Sequence, residues 1–372
     1  MEKHDVIIIG GGPSGATLAH FLKEKGIYSV VIEKGNHFRD KVCAGGLPLG
    51  IFDILPQSVS RDFEYVPYKT FRVSYRGIIE ESVTFDKPFS FGVMRSSFDE
   101  HLRNNIDVRY NEEFISFEEK ANEVIVKTNK NVYSGAFLVG ADGIGSKVAL
   151  FANLNKKTKI VIAEEKELRK ENNSDDALNV YLGYNFLGYG WKFTKKDFIS
   201  VGAGAMKKFY KKGISNLIDP TYADIKIYPI SLWDGDYNIA KGRVALVGEA
   251  SSIVDPLNAA GIYHSIFSAK LLSEVILYNL KKGSKDFSQY LHLLDSTIFE
   301  EFRYGIALSN AFYPFLPMIK KVILNEHILE FIIRAQEKSG YLSYKEVFKR
   351  FEKSKRIEIK LIYAILKILK FM

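Results

Sequence analysis

The sequence predicts an α/β fold whose main sheet is assembled from separate stretches of the chain. Three glycine-containing motifs support this prediction, and each follows an apolar run typical of a buried strand. They begin at Gly10, Ala141 and Gly248. Their wide spacing indicates that other parts of the chain are inserted, in sequence, between the strands of this sheet. We therefore expect a discontinuous Rossmann-like domain, an inserted β-rich domain and a helical C-terminus.

The expected domain boundaries follow from the places where strand and helix patterns change. The Rossmann-like domain takes three segments, the β-rich domain two and the helical region one. The Rossmann-like domain is expected at 1–50, 92–157 and 240–284, the β-rich domain at 51–91 and 158–239, and the helical region at 285–372. A turn at Arg76-Gly77 is expected to join two strands of the β-rich domain. Ser96 or Ser97 is expected to cap a short helix.

Composition indicates a folded protein in a reducing compartment. The chain has 372 residues, of which 47% are hydrophobic and 26% charged, so it can bury a sizeable core. A single cysteine excludes an internal disulfide. We expect no signal peptide and no spanning helix, and hence a cytoplasmic protein. The net charge of +8 is not accompanied by a nucleic-acid recognition module, so no nucleic-acid partner is expected.

The first motif, at 10–15, is suited to a pyrophosphate. Gly10 permits a tight turn, Gly12 lets the backbone approach the phosphates, and Gly15 lets the helix pack on the strand. The helix N-terminus offers N–H groups and the positive end of its dipole. Glu33 ends the second strand, where it can accept hydrogen bonds from a ribose diol and would repel a 2′-phosphate. The motif therefore predicts a dinucleotide and disfavours NADP.

The second and third motifs narrow the choice among dinucleotide cofactors. Asp142 supplies a carboxylate within a glycine turn, which alone would be an ordinary Asx turn. Glu249 follows a buried strand, and Asp255-Pro256 then leads through Gly261 into a long helix. A helix N-terminus there could stabilise negative charge on the N1–C2=O edge of a reduced flavin. The three motifs in this order predict FAD, and no metal site is expected.

The order of these motifs resembles that of the FAD-dependent hydroxylase-like flavoproteins. The resemblance implies that Asp142 lies near the pyrophosphate and ribityl region and that Gly261 and Ile262 line the isoalloxazine. Arg95, in an Arg-x-x-Phe-Asp element, would contact the ribose side of FAD. Glu249 replaces the usual Asp on the ribityl chain, so that contact must be shifted or water-mediated. The residues expected to bind FAD are Gly10, Gly12, Pro13, Ser14, Gly15, Glu33, Lys34, Cys43, Ala44, Gly45, Arg95, Ala141, Asp142, Gly143, Gly248, Glu249, Pro256, Gly261 and Ile262.

Two further segments are similar to motifs of the geranylgeranyl reductase family. Lys41-Val42-Cys43-Ala44-Gly45-Gly46 resembles its Cys-Gly-Gly element, with Ala44 in place of the first glycine. Segment 188–195 resembles its Tyr-x-Trp-x-Phe-Pro motif, with Thr194 in place of the proline. These enzymes saturate double bonds of geranylgeranyl chains, on archaeal membrane lipid precursors or, in phototrophs, on chlorophyll. The short chain, rich in Lys, Glu and Ile, favours the archaeal branch.

The single thiol, Cys43, is either a small buried hydrophobic residue or a group beside the flavin. The resemblance favours the second interpretation. An isolated alkene has no carbonyl to polarise it, so hydride from a reduced flavin must be matched by a proton on the other carbon. Cys43 is our candidate for that catalytic acid, or for a group that steers the alkene.

Three aromatic residues, Tyr189, Trp191 and Phe193, share one face of a predicted strand. They form either a plain sheet core or the wall of an apolar tunnel. The resemblance favours a wall that binds the isoprenoid substrate, because affinity for such a chain comes mostly from buried hydrocarbon.

The electron donor is left open. Gly202-Ala203-Gly204 lacks the third glycine of a second dinucleotide fingerprint, so a ferredoxin, a reductase partner or transient NAD(P)H binding are the alternatives. Two other functions also fit this type of fold. One is an FAD-dependent monooxygenase of an aromatic substrate, and the other is a prenyl-binding carrier of the GDP-dissociation-inhibitor type, against which the intact glycines and Glu33 argue.

The end of the chain carries a basic helical stripe. Its residues recur every three or four positions and are Arg356, Lys360, Tyr363, Lys367 and Lys370. Such a helix either lies on the inner face of an anionic membrane as a peripheral contact or docks on its own domain.

Overall fold

A computed structural model of the protein describes most of the chain. The described residues are 1–37, 41–154, 158–171, 175–184, 187–210, 224–235, 238–334, 341, 343–353 and 360. Of the predicted basic stripe, Arg356, Tyr363, Lys367 and Lys370 lie outside them. The membrane or docking role of that stripe therefore stays a prediction.

Strands and helices alternate in the first part of the chain, and the described residues after Leu246 are mostly helical. The strands are β1 (Glu2–Ile9), β2 (Ser29–Ile32), β3 (Gly46–Pro48), β4 (Val66–Tyr68), β5 (Thr70–Tyr75), β6 (Ile79–Thr84), β7 (Ser90–Gly92), β8 (Val108–Arg109), β9 (Phe114–Glu119), β10 (Val124–Thr128), β11 (Val132–Gly140), β12 (Lys159–Arg169), β13 (Ala177–Leu182), β14 (Gly188–Thr194), β15 (Phe198–Met206), β16 (Lys226–Leu232), β17 (Ala240–Lys241) and β18 (Val244–Leu246). The helices are α1 (Pro13–Glu24), α2 (Ile51–Ile54), α3 (Arg95–Arg103), α4 (Lys147–Ala152), α5 (Ile262–Lys282), α6 (Ser288–Leu294), α7 (Glu300–Ile323), α8 (Glu326–Arg334) and α9 (Tyr344–Lys353). Short 3₁₀ turns occupy Lys207–Phe209 and Gly248–Ser251, and a π-helical turn, Asp295–Phe299, joins α6 to α7.

The first sheet carries all three glycine motifs. Its order is β17-β18-β11-β1-β2-β8, with β10 and β9 added antiparallel beside β11. In the parallel register Ile9 lies opposite both Gly140 and Ile32, and Gly140 lies opposite Leu246. The carboxyl ends of four neighbouring strands are therefore level. Ligands of open parallel sheets bind outside this edge, where the strand order reverses.

The second sheet joins strands from both predicted segments of the insertion. Its order is β16-β12-β15-β14-β13-β5-β6, and β13 pairs in parallel with β5, while its other pairs are antiparallel. Arg76 and Gly77 both have positive φ, as the expected turn between β5 and β6 requires. A small third sheet, β3-β7-β4, links this part to α3. This arrangement agrees with the mixed α/β fold expected, while the domain boundaries themselves stay a prediction.

The cap expected for α3 is wrong. The helix begins at Arg95, its N-cap is Met94, and no side chain accepts a capping hydrogen bond there. Arg95 instead pairs with Asp99 one turn later, through two hydrogen bonds of 3.0 and 2.9 Å. An ion pair at this spacing stabilises the first turn. The helix therefore starts before Ser96 rather than after it.

The C-terminal helices close over the second sheet. Leu316 of α7 and Leu329 of α8 are buried in the same apolar cluster as Val73 and Val83 of β5 and β6. These helices thus share one apolar core with the second sheet. Among the helices that the structure describes, none combines the length and the apolar character that crossing a membrane requires.

Candidate active site

The three glycine motifs meet at the level strand ends. Gly10 has a φ of +105°, and a Cβ there would lie 2.4 Å from the carbonyl oxygen of Ala141. Gly248 has a φ of +60°, and its Cβ would lie 2.7 Å from Oγ of Ser14. Gly10 has no room for a side chain because the backbone of the second motif lies directly against it, and Gly248 has none because the side chain of Ser14, from the first motif, lies against it. Motifs separated by more than a hundred residues in sequence therefore form one site.

The N-terminus of α1 fits a pyrophosphate. Gly12 is the N-cap and brings no side chain to the first-turn N–H groups, and Gly12, Pro13 and Ser14 all line the central cavity. A Cβ at Gly15 would lie 1.9 Å from the carbonyl oxygen of Gly10, so the helix packs directly on the strand end. Peptide N–H groups and the helix dipole at this point favour an anion.

Glu33 lies behind this turn and is buried. Its carboxylate accepts hydrogen bonds from the backbone N–H of Gly11 at 2.7 Å and of Gly35 at 2.8 Å. Its position at the end of β2 is the one predicted, and its ribose contact stays a prediction. Lys34 is exposed beside it, and its contact with FAD likewise stays a prediction.

Asp142 serves a local structural role. Its carboxylate accepts a hydrogen bond from Oγ of Ser146 at 2.5 Å and from the N–H of Val148 at 3.3 Å, at the start of α4. Burial raises the pKa of Asp142. The residue thus shapes the second glycine turn, and its predicted place beside the pyrophosphate and ribityl region is not tested by these contacts.

Glu249 is paired with the cysteine-containing segment. Its carboxylate lies 2.8 Å from Nζ of Lys41, which also lies 4.7 Å from the centroid of the Tyr228 ring. Glu249 is one methylene longer than the usual Asp, and its carboxylate forms an ion pair with Lys41. This pair joins the third motif to segment 41–46. A ribityl contact from Glu249 stays a prediction.

One continuous cavity of about 880 Å³ begins at the glycine turn and extends along the second sheet. Most of the predicted site residues line it. They are Gly12, Pro13, Ser14, Cys43, Ala44, Gly45, Arg95, Ala141, Gly143, Tyr189, Trp191, Phe193, Glu249, Pro256, Gly261 and Ile262. Cys43 and its neighbours lie where the walls contributed by the two sheets meet.

Cys43 is half-buried and faces a fixed positive charge. Its sulfur accepts a hydrogen bond from the N–H of Gly45 at 3.4 Å. The guanidinium of Arg95 lies close enough to the same sulfur for the two groups to interact electrostatically. Burial alone would lower the pKa of Arg95, but Asp99 and Cys43 together raise it above its ordinary value. Arg95 therefore stays charged beside the thiol.

A buried lysine that the motif analysis missed holds this segment. Lys195 is 1% exposed, and its ammonium donates to the main-chain carbonyl of Cys43 at 3.1 Å and to Glu167 at 2.7 Å. Glu165 lies 3.5 Å from the same ammonium. Lys195 was visible only as the last residue of segment 188–195. Nothing local in the sequence indicated that it would be buried against Cys43.

The two motifs of the narrower resemblance are in direct contact. A Cβ at Gly46 would lie 2.9 Å from the Phe193 ring. A Cβ at Gly202 would lie 2.1 Å from the Trp191 ring, so this glycine makes room for the indole. The indole N–H donates to Ser200 at 2.9 Å. Gly202 therefore serves the aromatic wall, in the middle of β15.

Three tyrosines hold the loop at 255–258, which leads into α5. Tyr189 donates to one of its main-chain carbonyls at 2.5 Å and Tyr313 to another at 2.8 Å. Tyr344 donates to the carboxylate of Asp255 at 2.6 Å. Burial raises the pKa of Asp255 to about 6. Tyr313 and Tyr344 lie in helices that carry no motif, so sequence patterns could not assign them to the site.

The C-terminal helices supply much of the far wall of the cavity. Their lining residues from α7 and α8 are Ile306, Leu308, Ser309, Asn310, Ala311, Phe312, Tyr313, Pro314, Phe315, Ile319, Ile328, Leu329, Ile332 and Ile333. The sequence predicted helices here without a role in the site. The apolar residues within these two helices were the signal that could have indicated one.

This fold and site define a flavoprotein, with FAD as the cofactor. The sequence model of a family described as the FAD binding domain matches residues 3–61, the segment that contains the glycine turn and Glu33. The predicted cofactor is thereby confirmed, and the chain is an FAD-dependent oxidoreductase.

Similarity to individual proteins is more specific. The chain is 26% identical to digeranylgeranylglycerophospholipid reductase of Thermoplasma volcanium, over 74% of this chain and 78% of that protein. It is 25% identical to chloroplastic geranylgeranyl diphosphate reductase of Arabidopsis thaliana, over 84% of this chain and 75% of that protein. A geranylgeranyl bacteriochlorophyll reductase-like protein of Thermoplasma acidophilum has the same fold, with a TM-score of 0.78 at 20% identity over 98% of this chain and all of that one. The predicted resemblance to geranylgeranyl reductases is confirmed.

Proposed function

We propose that the protein saturates carbon–carbon double bonds of geranylgeranyl chains, in precursors of archaeal membrane lipids. The observation that carries this proposal is the continuous cavity of about 880 Å³, which joins the FAD end to a long apolar wall. Such a space accepts a flexible hydrocarbon chain and can present one double bond after another at the same point. Cys43 lies at that point.

The far part of the cavity suits hydrocarbon rather than a polar aromatic substrate. Its wall is built by apolar residues of α7 and α8, among them Leu329 and Ile333. Each methylene transferred from water into such surroundings contributes about 0.8 kcal/mol. A prenyl chain therefore gains affinity along the whole wall without a specific polar contact.

The chemistry divides between the cofactor and the chain. When bound, reduced FAD supplies the hydride. Cys43 donates a proton to one alkene carbon while positive charge develops on the more substituted one. Loss of this proton leaves a thiolate beside the positive charge of Arg95. Water then restores the proton through the solvent-accessible part of the cavity.

Residues around Cys43 position it for this step. Lys195 fixes the main-chain carbonyl of Cys43, and Gly45 donates its N–H to the sulfur. The aromatic side chains Trp191 and Phe193 exclude water from the reacting alkene, which protects the developing charge from capture by solvent.

The protein also needs a source of electrons. Among the described residues one glycine turn has the form of a dinucleotide site, at the start of α1. The other glycine-rich segment, which contains Gly202, lies within strand β15, where Gly202 packs against the Trp191 ring. A separate donor is therefore part of the proposal, whether ferredoxin, a reductase or NAD(P)H that binds transiently. We also propose that the protein is cytoplasmic and binds transiently to the membrane surface, where it obtains its lipid substrate.

Anaerobic stopped-flow spectroscopy tests this function. Protein reduced with dithionite is mixed with a geranylgeranyl lipid or, as a control, with its fully saturated counterpart. We expect the oxidised flavin spectrum to return with the unsaturated lipid only. If reduced flavin persists equally with both lipids, the proposal is wrong.

A further inference from the structure

We propose that the protein docks on an anionic membrane through an apolar edge made by the turn 76–78 and the α7 segment 314–321. The inference rests on the proposed function in one respect, since a membrane lipid as substrate supplies the reason to dock. The exposure and charge of its side chains define this edge, whatever the substrate is.

Large apolar side chains of this edge are unusually exposed. Met318 is 79% exposed, Ile78 is 80% exposed and Phe315 is 38% exposed. Single exposed apolar residues are common, but several in one place mark a surface that contacts another apolar phase. The edge thus has the composition of a contact surface.

Two contacts show that the turn and the helix are neighbours. Nζ of Lys320 lies 4.8 Å from the ring centroid of Tyr75, and the guanidinium carbon of Arg76 lies 5.7 Å from the same centroid. Tyr75 is the last residue of β5 and directly precedes the turn that carries Ile78. Side chains of the segments 76–78 and 318–320 therefore meet at one aromatic ring.

The charges of the edge identify its partner. Arg76 precedes Ile78 in the turn, and Lys320 and Lys321 follow Met318 in α7, so both segments carry cations beside their exposed apolar side chains. This combination binds a bilayer, because apolar side chains enter the headgroup region while lysine and arginine attract anionic lipids. Cations on both segments match the negative surface of an anionic bilayer.

The edge is continuous with the substrate cavity. Pro314, Phe315 and Ile319 line the cavity, although Phe315 is also partly exposed. A prenyl chain can thus pass from the bilayer into the protein between α7 and the second sheet without crossing water. Docking at this place brings the mouth of the cavity to the lipid.

Co-sedimentation of the full-length, FAD-loaded protein with vesicles tests the inference. One vesicle is phosphatidylcholine with phosphatidylglycerol, and the other is phosphatidylcholine alone. We expect the protein to pellet with the first and to remain largely in solution with the second. Absence of pelleting with either vesicle would overturn the proposal.

Paired variants locate the surface. I78D/M318D should weaken binding to the anionic vesicles by about tenfold or more, because two charges must be desolvated at the interface. The matched control is L150D/I227D: Leu150 is 75% exposed, and Ile227 is 57% exposed on β16, at the opposite edge of the second sheet from β6. Control binding should equal wild type. Equal binding by I78D/M318D would overturn the proposal and direct attention to residues outside the edge.

The charge contribution is tested in the same assay. K320E/K321E should weaken binding, whereas K281E/K282E, the same charge change at the exposed end of α5, should not. Reduction of detergent-solubilised lipid by I78D/M318D should stay at the wild-type rate, so a failure of the proposed function would be seen separately. If I78D/M318D instead abolishes self-association measured without vesicles, the edge is an interface between copies and the membrane proposal is wrong.

Discussion

The ammonium of Lys195 lies 3.1 Å from the main-chain carbonyl oxygen of Cys43, and this contact joins the aromatic strand to the cysteine segment. Lys195 is buried, so its charge needs the nearby carboxylates of Glu165 and Glu167. A hydrogen bond from a buried ammonium to a loop carbonyl is a strong constraint on the loop. The position of the thiol therefore depends on a residue more than 150 positions away.

Removing that charge should displace the cysteine segment. We expect Lys195→Met to lower the rate of alkene reduction and to lower thermal stability, because breaking a buried ion pair costs about 3–5 kcal/mol. Lys195→Arg keeps the charge and should retain more of both. The control is Lys192→Met, on an exposed position of β14. Flavin absorbance of each purified variant separates loss of chemistry from loss of FAD. Equal reduction rates for Lys195→Met and wild type would contradict the positioning role.

Cys43 should matter for chemistry and not for the cofactor. Cys43→Ala and Cys43→Ser are expected to slow the reduction step by about a hundredfold or more, as loss of a general acid does, while FAD remains bound. Single-turnover reoxidation of the flavin measures the step directly. If both variants reoxidise as fast as wild type, Cys43 is a packing residue.

The buried carboxylate of Asp255 predicts a specific pH dependence. Burial raises its pKa to about 6 in the folded protein, above the value of about 3.9 in the unfolded chain. The folded state therefore holds this proton more tightly, so ionisation of Asp255 destabilises the fold at neutral pH. That destabilisation should be relieved as pH falls from about 7 toward 5, by at most about 1.4 kcal/mol per pH unit.

Melting temperatures of wild type and Asp255→Asn, measured side by side at several pH values, check this. The difference, wild type minus variant, should become more positive as pH falls through that range. Titrating groups that do not interact with Asp255 contribute equally to both proteins and cancel in the difference. A difference that does not change with pH would show that Asp255 is not the titrating group.

The far end of the cavity should set the length of chain that is accepted. Leu329 of α8 is buried and lines this end. Leu329→Trp fills the space and should raise KM for geranylgeranyl lipids relative to shorter prenyl chains, with kcat for the short chains preserved. Leu329→Ala enlarges the space and serves as the opposite control. A uniform loss of kcat for every chain length would indicate disruption of the fold instead.

The sequence predicted the flavin part of the site because its signals are local. An apolar run followed by glycine marks each strand end, and the parallel sheet then brings Gly10, Ala141 and Gly248 to one edge. The reach of Glu249 to Lys41 was not predictable, because that contact depends on how segment 41–46 folds back over the sheet.

The rest of the cavity could not be predicted for a tertiary reason. Tyr313 and Tyr344 lie on helices whose sequences indicate only apolar faces, and their roles come from the loop against which they pack. Lys195 would ordinarily be expected at the surface, and only the carboxylates of β12 make its burial favourable. The start of α3 was misjudged because a serine suggested a cap, whereas the helix begins at Arg95, whose side chain pairs with Asp99 across the first turn.

Mass spectrometry of the lipid product tests the central claim most directly. Protein reduced with dithionite is incubated anaerobically with a geranylgeranyl lipid, and the product is compared with that from protein left oxidised. We predict that the product gains whole hydrogen pairs and that no oxygen is incorporated when the incubation is repeated in air. A lipid of unchanged mass after anaerobic turnover, or a product carrying an added oxygen atom, would contradict alkene reduction.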